Sequence, residues 1–481
     1  MKDYSLRGFL VELEALGELV RISEEVQGEE IFSILWKLFD KKGPAIIFEH
    51  VKDHEMPIVA NVFGTMDRFA MACGFPRGKS VRVYREMFLN LLESNKSWPK
   101  PALVESGPCK EVILKDEKAR FSVLPVFRWH PKDAGAYITF PSSITKDEKF
   151  GTNVGMYRMM IHDDKTSGIM CSIFQHQGIY LNRAIKKGAN KIDCVIALSS
   201  HPSVSVASAA TMDIGDDEFA LVGAMRNQPL KVIKAETCDL EVPAEAEIVL
   251  EGEISTTERR IEAPFAEYGG YHEESMVLPV FKLNCITMRR DAMYLMGTAD
   301  REGEILRQLS HQARFLQTAR TRITGFTDCW LPESGHGYSA VVSIKKYYPG
   351  WGQQAIYQVL GLPFAGAMLN NIIIVDSDVD PANLEQVMWA LSTRVDPHND
   401  VVITKPMAVY PLNPGAAVKM GVYHSTGSSE FLVGSKMGID ATMKMSGTER
   451  PARGEVVPVE PPEDVMTEVD RKWSKLGLGH I

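Results

Sequence analysis

Arg259-Arg260-Ile261-Glu262-Ala263-Pro264-Phe265-Ala266-Glu267-Tyr268-Gly269-Gly270-Tyr271 sets two carboxylates five residues apart, with a proline between them. A regular strand, with its side-chain period of two, would send Glu262 and Glu267 to opposite faces. A regular helix would hold them roughly 140° apart. Pro264, the small Ala266 and the glycine pair break either regularity and let both acids turn into one cavity; the alternative is a turn carrying two solvated acids. Arg158 is the complementary charge. It ends the strand-like segment Thr152-Asn153-Val154-Gly155-Met156-Tyr157-Arg158 and is followed by Met159, Met160 and Ile161. A guanidinium buried in such company requires an anion. That anion is either a substrate carboxylate, which the planar fork suits, or an acid of the chain in a structural salt bridge. Gly155 inside a strand predicts a close approach by ligand or backbone. Asn153, His176 (after Gln175) and Glu218 (in Asp216-Asp217-Glu218) form an oxygen-rich set. Such a set suits Mn²⁺ or Mg²⁺ shared with a phosphate better than a closed zinc site. Taken alone, His176 reads more readily as a satisfied core histidine.

These residues need elements to position them. Leu6, Phe9, Leu10, Leu13 and Leu16 recur at helical spacing between Ser5 and Gly17, which supplies a stop. Ala45–Phe48 reads as a strand and Val83–Leu92 as a helix, and the Pro-, Ser- and Lys-rich stretch 95–108 as a boundary. From about 110 to 320 the chain reads mostly as strand: the apolar run Cys194–Leu198, Val204 and Val206 alternating with serines, and Ile248–Ile254. Many strands with few long helices predict a barrel or half-barrel. After Trp330, strands at Val341–Ile344 and Asn371–Asp376 alternate with a helix at Gln353–Leu360. A second helix is expected to open at Asp380-Pro381, with Leu384, Val387, Met388 and Leu391 as its apolar stripe. This is an α/β domain with a largely parallel sheet. Residues 449–464 are proline- and charge-rich, an expected extended linker before a last helix carrying Val465, Val469, Trp473 and Leu476.

At 481 residues the chain suggests two or three domains. A net charge of -9 argues against a nucleic-acid binder, and no stretch approaches the apolar length of a membrane helix. Met1-Lys2-Asp3-Tyr4 leads into charged sequence without a signal-peptide core. The seven cysteines (73, 109, 171, 194, 238, 285, 329) are dispersed, as expected for reduced thiols in the cytoplasm.

Taken in order, these segments resemble the UbiD family of prenylated-FMN-dependent decarboxylases, over nearly the whole chain. Asn153…Arg158 is similar to that family's strand for flavin and substrate, and Asp217–Ala224 to its metal-ligand segment. Glu262–Glu267 is similar to its Glu-Gly-Pro-Phe-Gly-Glu signature, with Ala263 and Ala266 in place of the glycines. Val375–Asp380, Met388–Arg394 and Lys436–Thr442 resemble its C-terminal hallmarks. The resemblance implies an N-terminal α/β domain (1–108), a central split β-barrel holding the flavin (109–325), a C-terminal α/β oligomerisation domain (326–450), and a linker with a final helix (451–481). It implies Arg158, Glu262 and Glu267 as the catalytic network, with Glu267 the proton donor and Glu262 holding Arg158. Asn153, His176 and Glu218 would hold a divalent metal, Mn²⁺ by preference, against the flavin phosphate. Met156, Tyr157, Arg158 and Gln175 would line the cofactor, with Lys436 a candidate phosphate contact and K⁺ a further candidate ion.

The implied reaction is reversible, non-oxidative decarboxylation of an aromatic, heteroaromatic or α,β-unsaturated acid. Loss of CO₂ from an sp² carbon leaves a carbanion that no side chain can delocalise, so a cofactor must act as the electron sink. Glu267, beside a second carboxylate, is expected to have a raised pKa, and the closest partner of Arg158 a lowered one. The implied partners are the acid, CO₂ and a flavin prenyltransferase that supplies the cofactor. The implied assembly is a homodimer or homohexamer. A catalytic subunit of a multi-subunit aryl(-phosphate) carboxylase is the second reading. A flavin oxidoreductase is a third, although no Gly-x-Gly-x-x-Gly follows a strand. The segment Asp328–Tyr338, with Trp330 and His336, is expected to border the pocket.

Overall fold

In a computed structural model, residues 2–172, 175–273, 276–363, 368–410, 412–415, 423–424, 433–444, 459 and 461–479 are described. Most of the expected linker lies outside them. The first helix, Leu6–Ala15, is capped by Ser5, whose hydroxyl accepts from the Gly8 N–H, and it buries Leu6, Phe9, Leu10 and Leu13. Strands Leu19–Ile22, Ala45–Phe48 and Ile58–Ala60 form a small sheet that Tyr294–Leu295, far along the chain, completes by parallel pairing. The stretch read as a boundary is tied down. Ala102 and Leu103 pair with Lys231 and Val232, and Trp98 is buried.

The central part is built on an eight-stranded sheet in which two long strands, Ile248–Glu262 and Met276–Met288, run antiparallel. Outward from Ile248–Glu262 follow Lys191–Leu198, Ser142–Asp147 and Gly151–Met156; Thr166–Gly168 pairs with the far side of Met276–Met288. Among the described residues the two ends of this order do not pair with each other.

Two expectations for this region fail. Val204 and Val206 lie on a helix, Pro202–Ala209, because Pro202 fits the first helical position and His201 caps it, Nδ1 accepting from the Ser203 N–H at 3.1 Å. All but its last residue are buried, so no polar face marks its period. A 21-residue helix, Glu302–Arg322, also stands where strands were expected. Its apolar residues (Ile305, Leu306, Leu309, Phe315, Leu316) are interleaved with buried Gln308, Ser310, His311 and Gln312, which blurs the stripe.

The C-terminal part is a five-stranded sheet. Ser339–Ile344, Asn371–Asp376 and Val433–Asp440 run parallel between antiparallel edge strands Phe326–Trp330 and Val401–Ala408. The helix expected at Asp380 begins at Leu384, capped by Asn383 Oδ1, while Asp380 accepts from the Ala382 N–H in a preceding turn. It buries Val387 and Ala390, whereas Leu384 and Met388 face outward, a correction to the expected stripe. Among the described residues no helix is long and apolar enough to cross a membrane. All seven cysteines are unpaired.

Candidate active site

Arg158 follows the strand Gly151–Met156, and Glu262 is the last residue of its own long strand. Beyond Glu262 the chain breaks away. Ala263 takes φ 81°, a conformation costing about 1–3 kcal/mol for a residue with a Cβ. This is what a glycine in the family signature would relieve; the Ala266 backbone shows no such departure, and its N–H binds Asp133 Oδ1 at 3.0 Å. The Glu267 N–H then bonds the Tyr271 carbonyl at 3.1 Å, closing a turn at Gly269-Gly270. Together these features aim both acids at one guanidinium. Arg158 Nε donates to Glu262 Oε1 at 2.9 Å, and Nη1 donates to Glu267 Oε1. Relative exposures are 7% for Arg158, 0% for Glu262 and 8% for Glu267. The guanidinium also stacks 4.6 Å over the Phe265 ring.

Sequence reasoning missed a third acid. Arg158 Nη2 donates to Glu273, which the Gly269-Gly270 reversal brings back; Ala266 and His272 form a bridge across it. The signal was the glycine pair followed by an acid. The fork expected to meet a substrate carboxylate is therefore lined on each edge by carboxylates of the chain itself. Burial lifts the Glu262 carboxyl above its ordinary range, with Arg158 pulling it back. This is opposite to the expected lowering, because complete removal from water outweighs the attraction. Burial likewise works against the Arg158 charge, but Glu267 and Glu262 hold its pKa above the usual value.

Asn153 stands on the strand Gly151–Met156 beside Val154, whose backbone Glu218 reaches. Glu218 opens the helix Glu218–Arg226, capped by Asp217, and its Oε2 accepts from the Val154 N–H at 3.1 Å. Its Oε1 lies 4.0 Å from Nδ1 of His176, the first residue of the helix His176–Lys186. Burial pushes the Glu218 pKa up to about 8, with Asp217 and Asp216 adding to the rise, and it pushes that of His176 down. A buried carboxylate among other acids and a neutral imidazole are a donor set that fits a hard divalent cation. Asn153 and Thr145 are cross-strand partners, and the buried Asn153 Nδ2 and Thr145 Oγ1 make no hydrogen bond of good geometry. These are polar atoms suited to a phosphate or hydrated-ion end of a ligand, and Thr145 was not foreseen.

Gly155 does permit a close approach, but by the Tyr157 ring, which would stand 2.4 Å from an added Cβ. Tyr157 is buried and accepts from the Gln177 N–H at 3.4 Å; Met156 is half-buried. Gln175 Oε1 takes the Ser172 N–H at 2.7 Å. Lys436 belongs to the C-terminal sheet, not to the central sheet whose strand Gly151–Met156 leads to Arg158, and donates to the Leu369 carbonyl at 2.7 Å. The segment Asp328–Tyr338 divides. Tyr338 lies 5.9 Å from the ring of Tyr268, next to Glu267, whereas Trp330, Pro332, Glu333 and His336 line a cavity of about 530 Å³ with Ala382 and Leu384.

The chain matches three successive models described for 3-octaprenyl-4-hydroxybenzoate carboxy-lyase: the N-terminal domain over residues 10–88, the Rift-related domain over 102–301 and the C-terminal domain over 304–441. An uncharacterized protein of Archaeoglobus fulgidus is 33% identical over 461 residues, 91% of this chain and 92% of that one. The UbiD-class enzyme HmfF of Pelotomaculum thermopropionicum, solved with FMN, is 30% identical with a TM-score of 0.78, covering 97% of this chain and 99% of its own. An evolved dimeric form of that enzyme, solved with prFMN, gives 0.77 at 30% identity, over 98% of this chain and 100% of its own. The vanillic acid decarboxylase of Sedimentibacter hydroxybenzoicus in closed form gives 0.86 at 28% identity, over 98% and 99%. The chain belongs to the UbiD family of carboxy-lyases.

Proposed function

We propose that this carboxy-lyase removes CO₂, reversibly, from an aromatic, heteroaromatic or α,β-unsaturated acid with prenylated FMN as cofactor. The observation that carries the reading is the buried guanidinium of Arg158 bridging Glu262 and Glu267. When bound, the cofactor supplies the electron sink that no side chain offers. Decarboxylation replaces a C–CO₂⁻ bond with a C–H bond and so consumes one proton. Glu267, the more accessible of the two signature acids, delivers it to the carbon that CO₂ leaves. Arg158, gripped by Glu262, fixes the orientation of Glu267 and keeps the buried acids from repelling one another. Asn153, His176 and Glu218 would hold Mn²⁺ or a similar cation against the flavin phosphate, with Met156, Tyr157 and Gln175 along the cofactor. Lys436 is the least supported of these contacts.

The same reading takes the cofactor from a flavin prenyltransferase in the cytoplasm and divides the chain near residues 108, 325 and 450. It makes the protein a homodimer or homohexamer, which the outward-facing Leu384, Met388 and Trp389 of the C-terminal domain support. The test is reconstitution. Protein produced with a flavin prenyltransferase should release CO₂ from at least one member of a panel of aromatic and heteroaromatic acids. Equal turnover with unmodified FMN would reject the cofactor, and no turnover on any acid would reject the reaction.

A further inference from the structure

Glu267 and Glu273 stand on the two arms of a short hairpin. The Glu273 N–H bonds the Phe265 carbonyl at 3.2 Å and the Glu267 N–H bonds the Tyr271 carbonyl at 3.1 Å, with Ala266 and His272 paired between them. A segment far earlier in the chain, residues 130–134, ties this hairpin down. The Ala134 N–H donates to the Pro264 carbonyl at 2.8 Å, and the Ala266 N–H donates to Asp133 Oδ1 at 3.0 Å. His272 Nε2 stands 3.5 Å from the same Asp133 oxygen, and the His272 ring meets that of His130 edge-on at 5.0 Å. Ala266 immediately precedes Glu267, and His272 immediately precedes Glu273. One oxygen, Asp133 Oδ1, therefore meets the residue before each of two acids that bind Arg158.

Local sequence explains why that oxygen is fixed. His130-Pro131-Lys132-Asp133 makes a tight turn with proline at its second position, closed by the Asp133 N–H on the His130 carbonyl at 3.0 Å. In return, Asp133 Oδ2 accepts from the His130 N–H at 3.0 Å. Asp133 is 3% exposed, and a carboxylate so buried is costly unless its oxygens are bonded. Burial raises its pKa, while the His130 and Ala266 N–H groups, then His272 and Arg158, pull it back. Two N–H groups reach two different oxygens, and only a carboxylate offers an acceptor at both. Among the described residues the ion pairs of Arg158 are with Glu262, Glu267 and Glu273, so Asp133 acts on the hairpin backbone rather than on the guanidinium. We propose that Asp133 is a positioning residue of the active site, clamping both arms of the Ala266–His272 hairpin and so setting Glu267 and Glu273 against Arg158. The inference deepens the proposed function and rests on it only for the kinetic consequence; the clamp can be read without turnover.

The test joins hydrogen–deuterium exchange of the full-length protein to kinetics of the reconstituted enzyme. Losing the partner of a buried N–H costs about 1–3 kcal/mol, so Asp133→Ala should speed exchange of peptides spanning residues 264–273 about tenfold or more. Peptides from the C-terminal sheet should exchange as in the wild type. Asp133→Asn, which keeps one acceptor, should loosen the same peptides less. Exchange of 264–273 unchanged in Asp133→Ala overturns the clamp. Misplacing a reacting group by about 1 Å can cost about a hundredfold in rate. The kcat should accordingly fall about ten- to a hundredfold in Asp133→Ala and less in Asp133→Asn, with flavin content per protein unchanged in both. Wild-type kcat in a protein whose hairpin has loosened overturns the positioning role, and so does a loss of kcat that only follows a loss of flavin. If Asp133→Ala does not fold, Asp133→Asn decides by the same two readouts. Failure of the proposed function would instead show as wild-type protein inactive on every acid with the exchange pattern intact.

Discussion

Glu273 binds the Nη2 edge of Arg158, so that one buried guanidinium serves three carboxylates drawn from both sides of a glycine turn. On the proposed function, a substrate acid entering this site would meet a cation whose edges are already taken, and a local excess of negative charge.

Removing one of those charges without changing shape should therefore favour the incoming anion. Like charges several ångströms apart near a protein surface repel by about 1–2 kcal/mol. Glu273→Gln should tighten binding of the substrate acid about tenfold, read by titrating the fluorescence of the bound flavin. Unchanged or weaker binding would show that Glu273 is not in the field of the substrate.

Glu302 offers a pH dependence of stability. It is buried at the start of its long helix, and its two oxygens accept from the Phe63 and Thr298 N–H groups. Burial raises its pKa from 4.5 to about 7. The folded state thus binds this proton more tightly than the unfolded one. The resulting stability is complete below pH 4.5 and is lost as pH rises through about 7. The loss is on the order of 1–3 kcal/mol. Melting temperatures measured from pH 5 to 8 should fall with pH, and Glu302→Gln should flatten that slope. An equal slope in both proteins would assign it to other groups.

What the sequence made legible follows from what each signal measures. Arg158, Glu262 and Glu267 stand out because an arginine in an apolar strand and two acids around a proline are unusual in themselves, but only the family resemblance offers them roles. Glu273 was missed because its place depends on a chain reversal, and spacing along the chain does not measure that. The set proposed for a metal reads as one chiefly through resemblance, since His176 and Glu218 head separate helices and come to 4.0 Å only in the fold. Elements with one apolar face, such as Leu6–Ala15, were plain. The helix Pro202–Ala209, buried almost throughout, carried no contrast between faces and was read as strand.

Among the described residues the final helix packs against nothing. Glu463–Lys472 buries none of its residues, and Val465, Met466, Trp473 and Leu476 are 49%, 44%, 40% and 57% exposed. Apolar side chains clustered on this helix and the turn after it are costly to leave in water, and a second copy of the chain is the occupant consistent with a homo-oligomer. Truncation after Arg453 should lower the assembly mass seen by light scattering and leave the melting temperature of the remaining chain little changed. An unchanged mass would rule out this helix as the contact.

Glu267 carries the most consequential prediction. It ends the Glu-Ala-Pro-Phe-Ala-Glu segment, its backbone N–H is fixed by Tyr271, and its side chain is held by Arg158. Gln at this position preserves shape and can still hydrogen-bond Arg158, but has no proton to give. Positioned acid catalysis contributes about 10²–10⁴-fold, so Glu267→Gln should lose at least about a hundredfold in kcat while retaining flavin. The same variant should fail to exchange the product's hydrogen with deuterated buffer, because exchange runs the same proton transfer in reverse. Separating the two readouts matters. Lost turnover with exchange retained would mean that Glu267 assists CO₂ release rather than protonation, and retention of both would pass the role to Glu262.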